Sequence, residues 1–166
     1  MRSILFAALV LAHGTAAAAE PVRLEGVVLL QPEAVFQQRM AGASALAAYV
    51  RSVQDATASA IQGAGMKPAV GGFLVVALRP GGKSNAWLDF EPSLPASLVN
   101  SVVSRVRSVE VPSVSGGTVV FALRLVLWDG SPSAKITPMP PEWEVTAQRA
   151  GRPLEASALA ELSWSE

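Results

Sequence analysis

The sequence has no cysteine, and its single histidine is His13. A chain without cysteine forms no disulfide and carries out no thiol redox chemistry, so its fold depends on an apolar core. We interpret residues 1–19 below as a leader that is removed, and His13 leaves with it. The remaining chain then has no imidazole base for Ser-His-Asp catalysis and no His or Cys ligand for a zinc or haem site. We therefore predict that it uses no cofactor.

Long apolar runs are also scarce, and the clearest one lies near the start. Arg2 precedes an apolar stretch at residues 4–12, and the small residues Ala17–Ala19 follow it. This pattern is typical of a secretory signal peptide that is cleaved before Glu20. The stretch is shorter than the roughly 20 residues of a membrane-spanning helix. We predict that residues 1–19 are a signal peptide, that the protein is periplasmic, and that no stable membrane insertion persists after cleavage.

Neither sign of charge is in excess. The chain has 13 basic and 13 acidic residues, and charged residues make up 16% of its 166 positions. A surface without a basic surplus is not typical of proteins that bind nucleic acid or anionic membranes, and we predict no nucleic-acid partner. The hydrophobic fraction of 51% is sufficient for one domain with a substantial core.

Apolar periodicity indicates two helices after an initial strand at residues 22–30. Apolar residues recur at three- and four-residue spacing after Ser44 and again after Pro95, which predicts two amphipathic helices. The first apolar stripe consists of Leu46, Tyr49, Val50, Val53, Thr57, Ala60 and Ile61, and the second of Leu98, Val99, Val102, Val103, Val106 and Val109.

A hairpin and a last strand complete the predicted domain. Residues 71–78 and 85–90 are rich in strand-forming residues and flank the turn Pro80-Gly81-Gly82. Residues 118–128 form the clearest strand of the sequence. The predicted fold is α+β, with a small antiparallel sheet packed against two helices in the order helix, hairpin, helix, strand.

The end of the sequence is rich in proline. Residues 131–141 contain four prolines, which favours a linker or a wrapping arm over regular structure. Residues 142–148 alternate weakly, and residues 155–164 are compatible with a short helix. We therefore divide the chain into the signal peptide, a single α+β domain at residues 20–130, and a Pro-rich C-terminal arm at residues 131–166.

Paired carboxylates are the one pattern that points toward catalysis. Asp89 and Glu91 alternate along a predicted strand, as do Glu142 and Glu144. Two carboxylates on one face can serve a glycoside hydrolase, although they are equally typical of a solvated strand. The four tryptophans are open to two interpretations, namely packing in the core or contact with a protein partner.

The strand at residues 118–128 is apolar on both faces. Phe121, Leu123, Leu125 and Leu127 alternate toward one face, which we predict to be core. The opposite face is too apolar for solvent, so we expect cover from the N-terminal strand, the C-terminal arm or a partner. With one charge and no proline, this strand would recruit another strand if it lay at a sheet edge. The predicted partner-binding residues are Val120, Arg124, Val126 and Trp128.

Several segments between residues 45 and 128 support a resemblance to a known family. They are Ala47–Arg51, Phe73–Leu78 before a glycine turn, Leu98–Val103, Val111–Pro112 and Phe121–Leu125. This part of the chain resembles the C-terminal periplasmic domain of TonB and TolA, which couple inner-membrane energy to the outer membrane. Those proteins also have a membrane anchor and a long linker, and we expect neither in this chain. The resemblance implies a non-catalytic domain that binds partners by adding strands to its sheet.

Taken together, the sequence predicts a non-catalytic, exported domain that binds another periplasmic or envelope protein by strand addition at a sheet edge. One alternative is a periplasmic inhibitor or immunity-type protein. A second alternative, of another class, is a histidine-free hydrolase that uses carboxylates. A cleft that converges on Asp89 and Glu91 would favour the hydrolase, whereas an open apolar edge would favour the binding protein.

Overall fold

The computed structural model describes residues 19–164 and shows an α+β protein. Its strands are β1 (Val22–Leu29), β2 (Val70–Arg79), β3 (Lys83–Phe90) and β4 (Val119–Leu127). The helices within the described residues are α1 (Glu33–Arg39), α2 (Ala43–Gly63), α3 (Ala96–Arg107), α4 (Pro141–Ala150) and α5 (Ala156–Leu162). The four strands form one antiparallel sheet in the order β1-β4-β2-β3, which confirms the predicted class and sheet type. The predicted signal peptide lies outside the described residues, apart from Ala19.

The first core lies between one face of the sheet and helices α2 and α3. The stripe of α2 is buried from Tyr49 to Ile61, and α3 buries Leu98, Val102 and Val106. Their partners on the sheet include the alternate residues of β4, among them Leu123 and Leu125, which are fully buried. The predicted amphipathic stripes therefore face the core as expected.

The predicted hairpin is formed by β2 and β3, and the Pro-Gly-Gly turn connects them. Arg79 pairs with Lys83 at the turn, and both central glycines have positive φ angles, 85° for Gly81 and 73° for Gly82. Glycine adopts such angles without steric cost, which explains the sharp reversal at this position.

Strand β4 lies inside the sheet. It pairs with β1 along one side and with β2 along the other, so its backbone hydrogen-bonding groups face neighbours on both sides. The expectation that residues 118–128 form an open edge is therefore wrong. The physical reason is that β1, the first of the four strands, pairs with β4 and occupies the side that would otherwise be free.

A second core covers the other face of the sheet, and the C-terminal segment supplies it. Trp143 of α4 and Leu159 of α5 pack against Phe73, Trp87 and Val120 on the strands. The rings of Trp87 and Trp143 lie 5.6 Å apart. The Pro-rich segment thus leads into a third layer of the domain. Helix α5 lies where the sequence is compatible with a short helix, whereas α4 was not expected. Of the three covers considered for this face, the C-terminal segment is the one observed.

Close contacts join the C-terminal layer to the sheet at each end of the layer. Residues 131–133 cross β2 so closely at Gly71 that a Cβ atom there would overlap their backbone. At the other end of the layer, Glu161 of α5 accepts hydrogen bonds from Arg79 and from Thr118. These contacts place α4 and α5 in one unit with the sheet.

Between residues 19 and 164, no helix is both long enough and apolar enough to cross a bilayer.

Candidate functional site

The four residues that we predicted to bind a partner make their contacts within the domain instead. Val120 and Val126 are completely buried. The Arg124 guanidinium lies 5.1 Å from the ring of Phe73 and donates to the backbone carbonyl of Lys135. These three residues therefore cannot receive a partner strand, and their assignment as a binding edge is wrong for the reason given above.

Trp128, the fourth predicted binding residue, lies just beyond β4. Its backbone adopts a positive φ of 46°, and its N–H donates to the carbonyl of Pro21 at 3.3 Å. Its ring packs partly against the first core, with the Lys67 ammonium 4.9 Å from the ring centroid. The residue closes the end of the β1–β4 pair rather than presenting a strand edge.

The sheet has two edge strands, and β3 is the covered one. Residues 84–87 of β3 are all buried, between α3 on one face and the C-terminal layer on the other. The N–H of Ala86 donates to the side-chain oxygen of Asn85 at 2.9 Å, which satisfies an edge donor inside the protein. Open clefts border β3 only at its two ends, at residues 83–84 and 88–90, so the buried middle of this edge offers little backbone to another strand.

Strand β1 is the open edge. Val27 and Leu29 are 41% and 40% exposed, which is high for large apolar side chains in a sheet. The N–H of Leu30 donates to the carbonyl of Val120, so Leu30 belongs to a hydrogen-bonded pair with β4. Such pairs alternate along an antiparallel ladder. The N–H and C=O groups of Val27 and Leu29 therefore point away from β4, toward the free side.

Each end of this edge has a defined boundary. At the N-terminal end, Glu25 forms a bulge between Leu24 and Gly26, and its carboxylate accepts a hydrogen bond from Arg23 at 2.7 Å. At the other end, the Gln31 side chain continues the ladder with β4. Its amide donates to the Thr118 carbonyl at 3.1 Å, and its oxygen accepts from the Val120 N–H at 2.7 Å. The open apolar segment thus extends from Gly26 to Leu30.

The carboxylates that suggested catalysis border a cleft of about 500 Å³ between α3 and α4. Asp89, Glu91, Glu142 and Glu144 all line it, together with Lys135. The sequence therefore identified residues that the fold does bring together, although it did not link Lys135 to them.

The buried carboxylate in this cleft, Asp89, makes contacts that hold the fold together. Asp89 is only 4% exposed, and it accepts hydrogen bonds from the Lys135 ammonium at 2.6 Å and from the Met139 N–H at 2.8 Å. The hydrogen bond to Asp89 raises the pKa of Lys135, and Glu91 and Glu144 add to that effect. With both of its oxygens engaged, Asp89 anchors the segment that leads into α4. Among residues 19–164, no group of three or more His, Cys, Asp or Glu side chains is arranged to hold a metal ion.

Sequence reasoning missed Val27, Leu29 and Gln31. A signal was present, because residues 22–25 alternate apolar and charged and Gly26 interrupts the strand, which is typical of an edge strand with a bulge. The pattern did not show which strand would lie beside β1, and that neighbour decides which backbone groups stay free.

The chain was also compared with known proteins. No protein-family model, curated protein or solved structure matches it.

Proposed function

We propose that the protein is a non-catalytic, exported binding domain of the periplasm, and that a strand of another envelope protein adds to its sheet along β1. The observation that carries this proposal is the exposure of Val27 and Leu29 on an edge strand whose outward backbone groups pair with no other residue between positions 19 and 164. An open apolar edge promotes aggregation unless something covers it.

Strand addition uses both features of this edge. The backbone groups of Val27 and Leu29 supply hydrogen bonds to any extended segment, which gives affinity. Their side chains, two residues apart, lie on the same face of the sheet and select apolar residues at alternate positions of the partner. Natural edges are often blunted by lysine or proline, and residues 22–29 contain neither.

The resemblance to the TonB and TolA domains remains part of this proposal. The order α2, β2, β3, α3, β4 supports it, because this is the helix, hairpin, helix, strand order of the resembling segments. It favours a domain that receives partner strands, and it adds no catalytic residue.

The proposal is tested by photo-crosslinking in cells that export the chain. A photoreactive amino acid replaces Val27 or Leu29 in turn, and a third chain carries it at Val145, an apolar residue of α4 that is 45% exposed. We expect adducts with a different protein from positions 27 and 29 and none from position 145. The proposal would be overturned by the absence of such adducts, or by equal adducts at all three positions.

A pair of variants tests the backbone component directly. Val27→Pro removes an outward N–H that the domain does not use, and proline is tolerated at such edge positions. Val27→Ala shortens the side chain and keeps the N–H. With the probe at Leu29, we expect the proline variant to lose most of the adduct and the alanine variant to retain more of it. Equal retention would show that main-chain pairing is not involved.

A further inference from the structure

The free side of β1 is complementary to a second copy of itself. The outward backbone groups belong to Val27 and Leu29, which flank Val28 symmetrically. If two copies of β1 lie antiparallel about a two-fold axis at Val28, each Val27 faces the Leu29 of the other copy. In antiparallel pairing such opposed residues exchange two hydrogen bonds, so the two equivalent pairs supply four.

The side chains fit the same register on both faces. On the α2 face, Val27 and Leu29 of one copy meet Leu29 and Val27 of the other, which covers all four exposed apolar side chains at once. On the opposite face, Leu30 of one copy meets Gly26 of the other. No atom lies within 4 Å of where a Cβ of Gly26 would be, so the glycine leaves space for the larger side chain. Because the axis is two-fold, this contact between the large Leu30 and the small Gly26 occurs twice.

The charges permit this register as well. Glu25 would face Gln31 of the other copy, so no like charges oppose each other in the paired segment. Arg23 lies outside this segment and already contacts Glu25 within its own chain. Pro32 has no N–H and ends the pairing at the next position. The apolar, neutral segment between these limits coincides with the exposed part of β1.

We propose that the chain forms a two-fold dimer through residues 26–30, and that this dimer is the form present when no partner strand is bound. The proposal rests on the open β1 edge of the proposed function and names its occupant in the absence of a partner. Because both occupants use the same backbone groups, binding of a partner strand requires separation of the two copies. The sheet of the dimer is continuous across the two chains, as expected for an isologous interface.

A single engineered cysteine tests the two-fold axis, because the chain has no cysteine of its own. Residues that face each other in a non-hydrogen-bonded pair have Cβ atoms about 4.5–5.5 Å apart. Val28→Cys therefore places two thiols opposite each other at the axis. Under mild oxidation we expect most of the exported, purified protein to become a disulfide-linked dimer. Val145→Cys, on exposed α4, is the matched control and should remain mostly monomeric.

Charge substitutions test the register independently of any disulfide. Val27→Lys places an ammonium against Leu29 of the other copy, and it should shift the protein from dimer to monomer in sedimentation or light-scattering measurements. Adding Leu29→Glu to the same chain creates two Lys–Glu pairs across the axis, and dimerisation should return. Val145→Lys should have no effect. If the double variant dimerises again, the monomeric state of the Val27→Lys variant cannot be attributed to misfolding.

The outcomes separate this inference from the proposed function. A monomer at all concentrations, or equal crosslinking of the Val28→Cys and Val145→Cys variants, would overturn the dimer. If the photoreactive chains still capture a different protein in that case, the proposed function stands. A dimer whose photoreactive variants yield only self-adducts would support the inference and overturn the proposed partner.

Discussion

Glu161 is one of the residues that join the C-terminal layer to the sheet through an ion pair, and the Asp89–Lys135 pair is another such connection. The Glu161 carboxylate accepts hydrogen bonds from Arg79 and Thr118, and the hydrogen bond from Arg79 is the main cause that lowers the pKa of Glu161 below its ordinary value. A carboxylate with a lowered pKa in the folded state stabilises the protein above its unfolded pKa of about 4.3, and that contribution disappears as the pH falls through the folded pKa.

We therefore predict that Glu161→Gln is less stable than the wild type at about pH 7, and that the difference shrinks only as the pH falls below about 4.3 and through the lowered pKa of the folded state. Denaturant unfolding at a series of pH values measures this change. Because Glu161 is partly exposed, solvent screening keeps the effect modest. Glu110, an exposed carboxylate after α3, provides the control for the loss of a charge, and its Gln variant should change the stability at about pH 7 very little.

Leu123 gives a prediction about packing. It is fully buried in the first core, opposite Val27 on one side and Leu74 on the other. Leu123→Ala should lower the free energy of unfolding by about 2–5 kcal/mol, because apolar burial is lost and a cavity remains. Leu29→Ala removes the same atoms from a position that is 40% exposed and should cost much less. Similar costs in urea unfolding would show that Leu29 is as buried as Leu123 and that β1 is not an open edge.

At the scale of whole elements, β4 and β1 differ in how they tolerate proline. Val126 lies in a hydrogen-bonded pair with Arg23 and is buried, so Val126→Pro removes a ladder donor inside the sheet. We predict that this variant yields little folded protein, whereas Val27→Pro at the outer side of β1 folds. Circular dichroism and the yield of soluble protein distinguish the two. A folded Val126→Pro variant would contradict the interior position of β4.

The elements that depend on local sequence could be predicted. The hairpin was predictable because the Pro-Gly-Gly turn and its flanking strands are adjacent in the chain, and α2 because its apolar stripe repeats from Leu46 to Ile61. The neighbours of β4 were not predictable, since the partners of a central strand come from distant parts of the chain. Helix α4 was missed because Pro140 and Pro141 suggested a linker, although proline is also favoured in the first turn of a helix.

The candidate site shows the same division between local and distant information. The alternation in β4 predicted the burial of Leu123 and Leu125 correctly. The opposite face is apolar whether a partner or the chain itself covers it, so Val120 and Val126 could not be assigned from the sequence. The cover turned out to be Trp143, Leu159 and their neighbours, from helices whose apolar faces are short and weakly patterned.

For the whole molecule, the three layers predict the effect of truncation. A chain that ends at Gly130 lacks α4 and α5 and exposes the apolar face formed by Phe73, Trp87 and Val120. We predict that it aggregates or unfolds, because a contiguous apolar patch of this kind is rarely tolerated on a soluble surface. Co-expression with a separate fragment of residues 131–166 should recover soluble protein. A soluble, folded truncation would show that the third layer is dispensable.

The pairing of the first strand with the last also governs how the chain folds. Val22 pairs with Leu127, so the sheet closes only after residues 22–127 are all available. Forming such a distant pair costs loop-closure entropy before any contact is gained, and proteins dominated by distant pairs fold slowly. Until β1 arrives, one side of β4 stays unpaired while the β2–β3 hairpin can already form. We expect slow folding with β1 docking late, and therefore a period in which the growing chain is most vulnerable to misassembly.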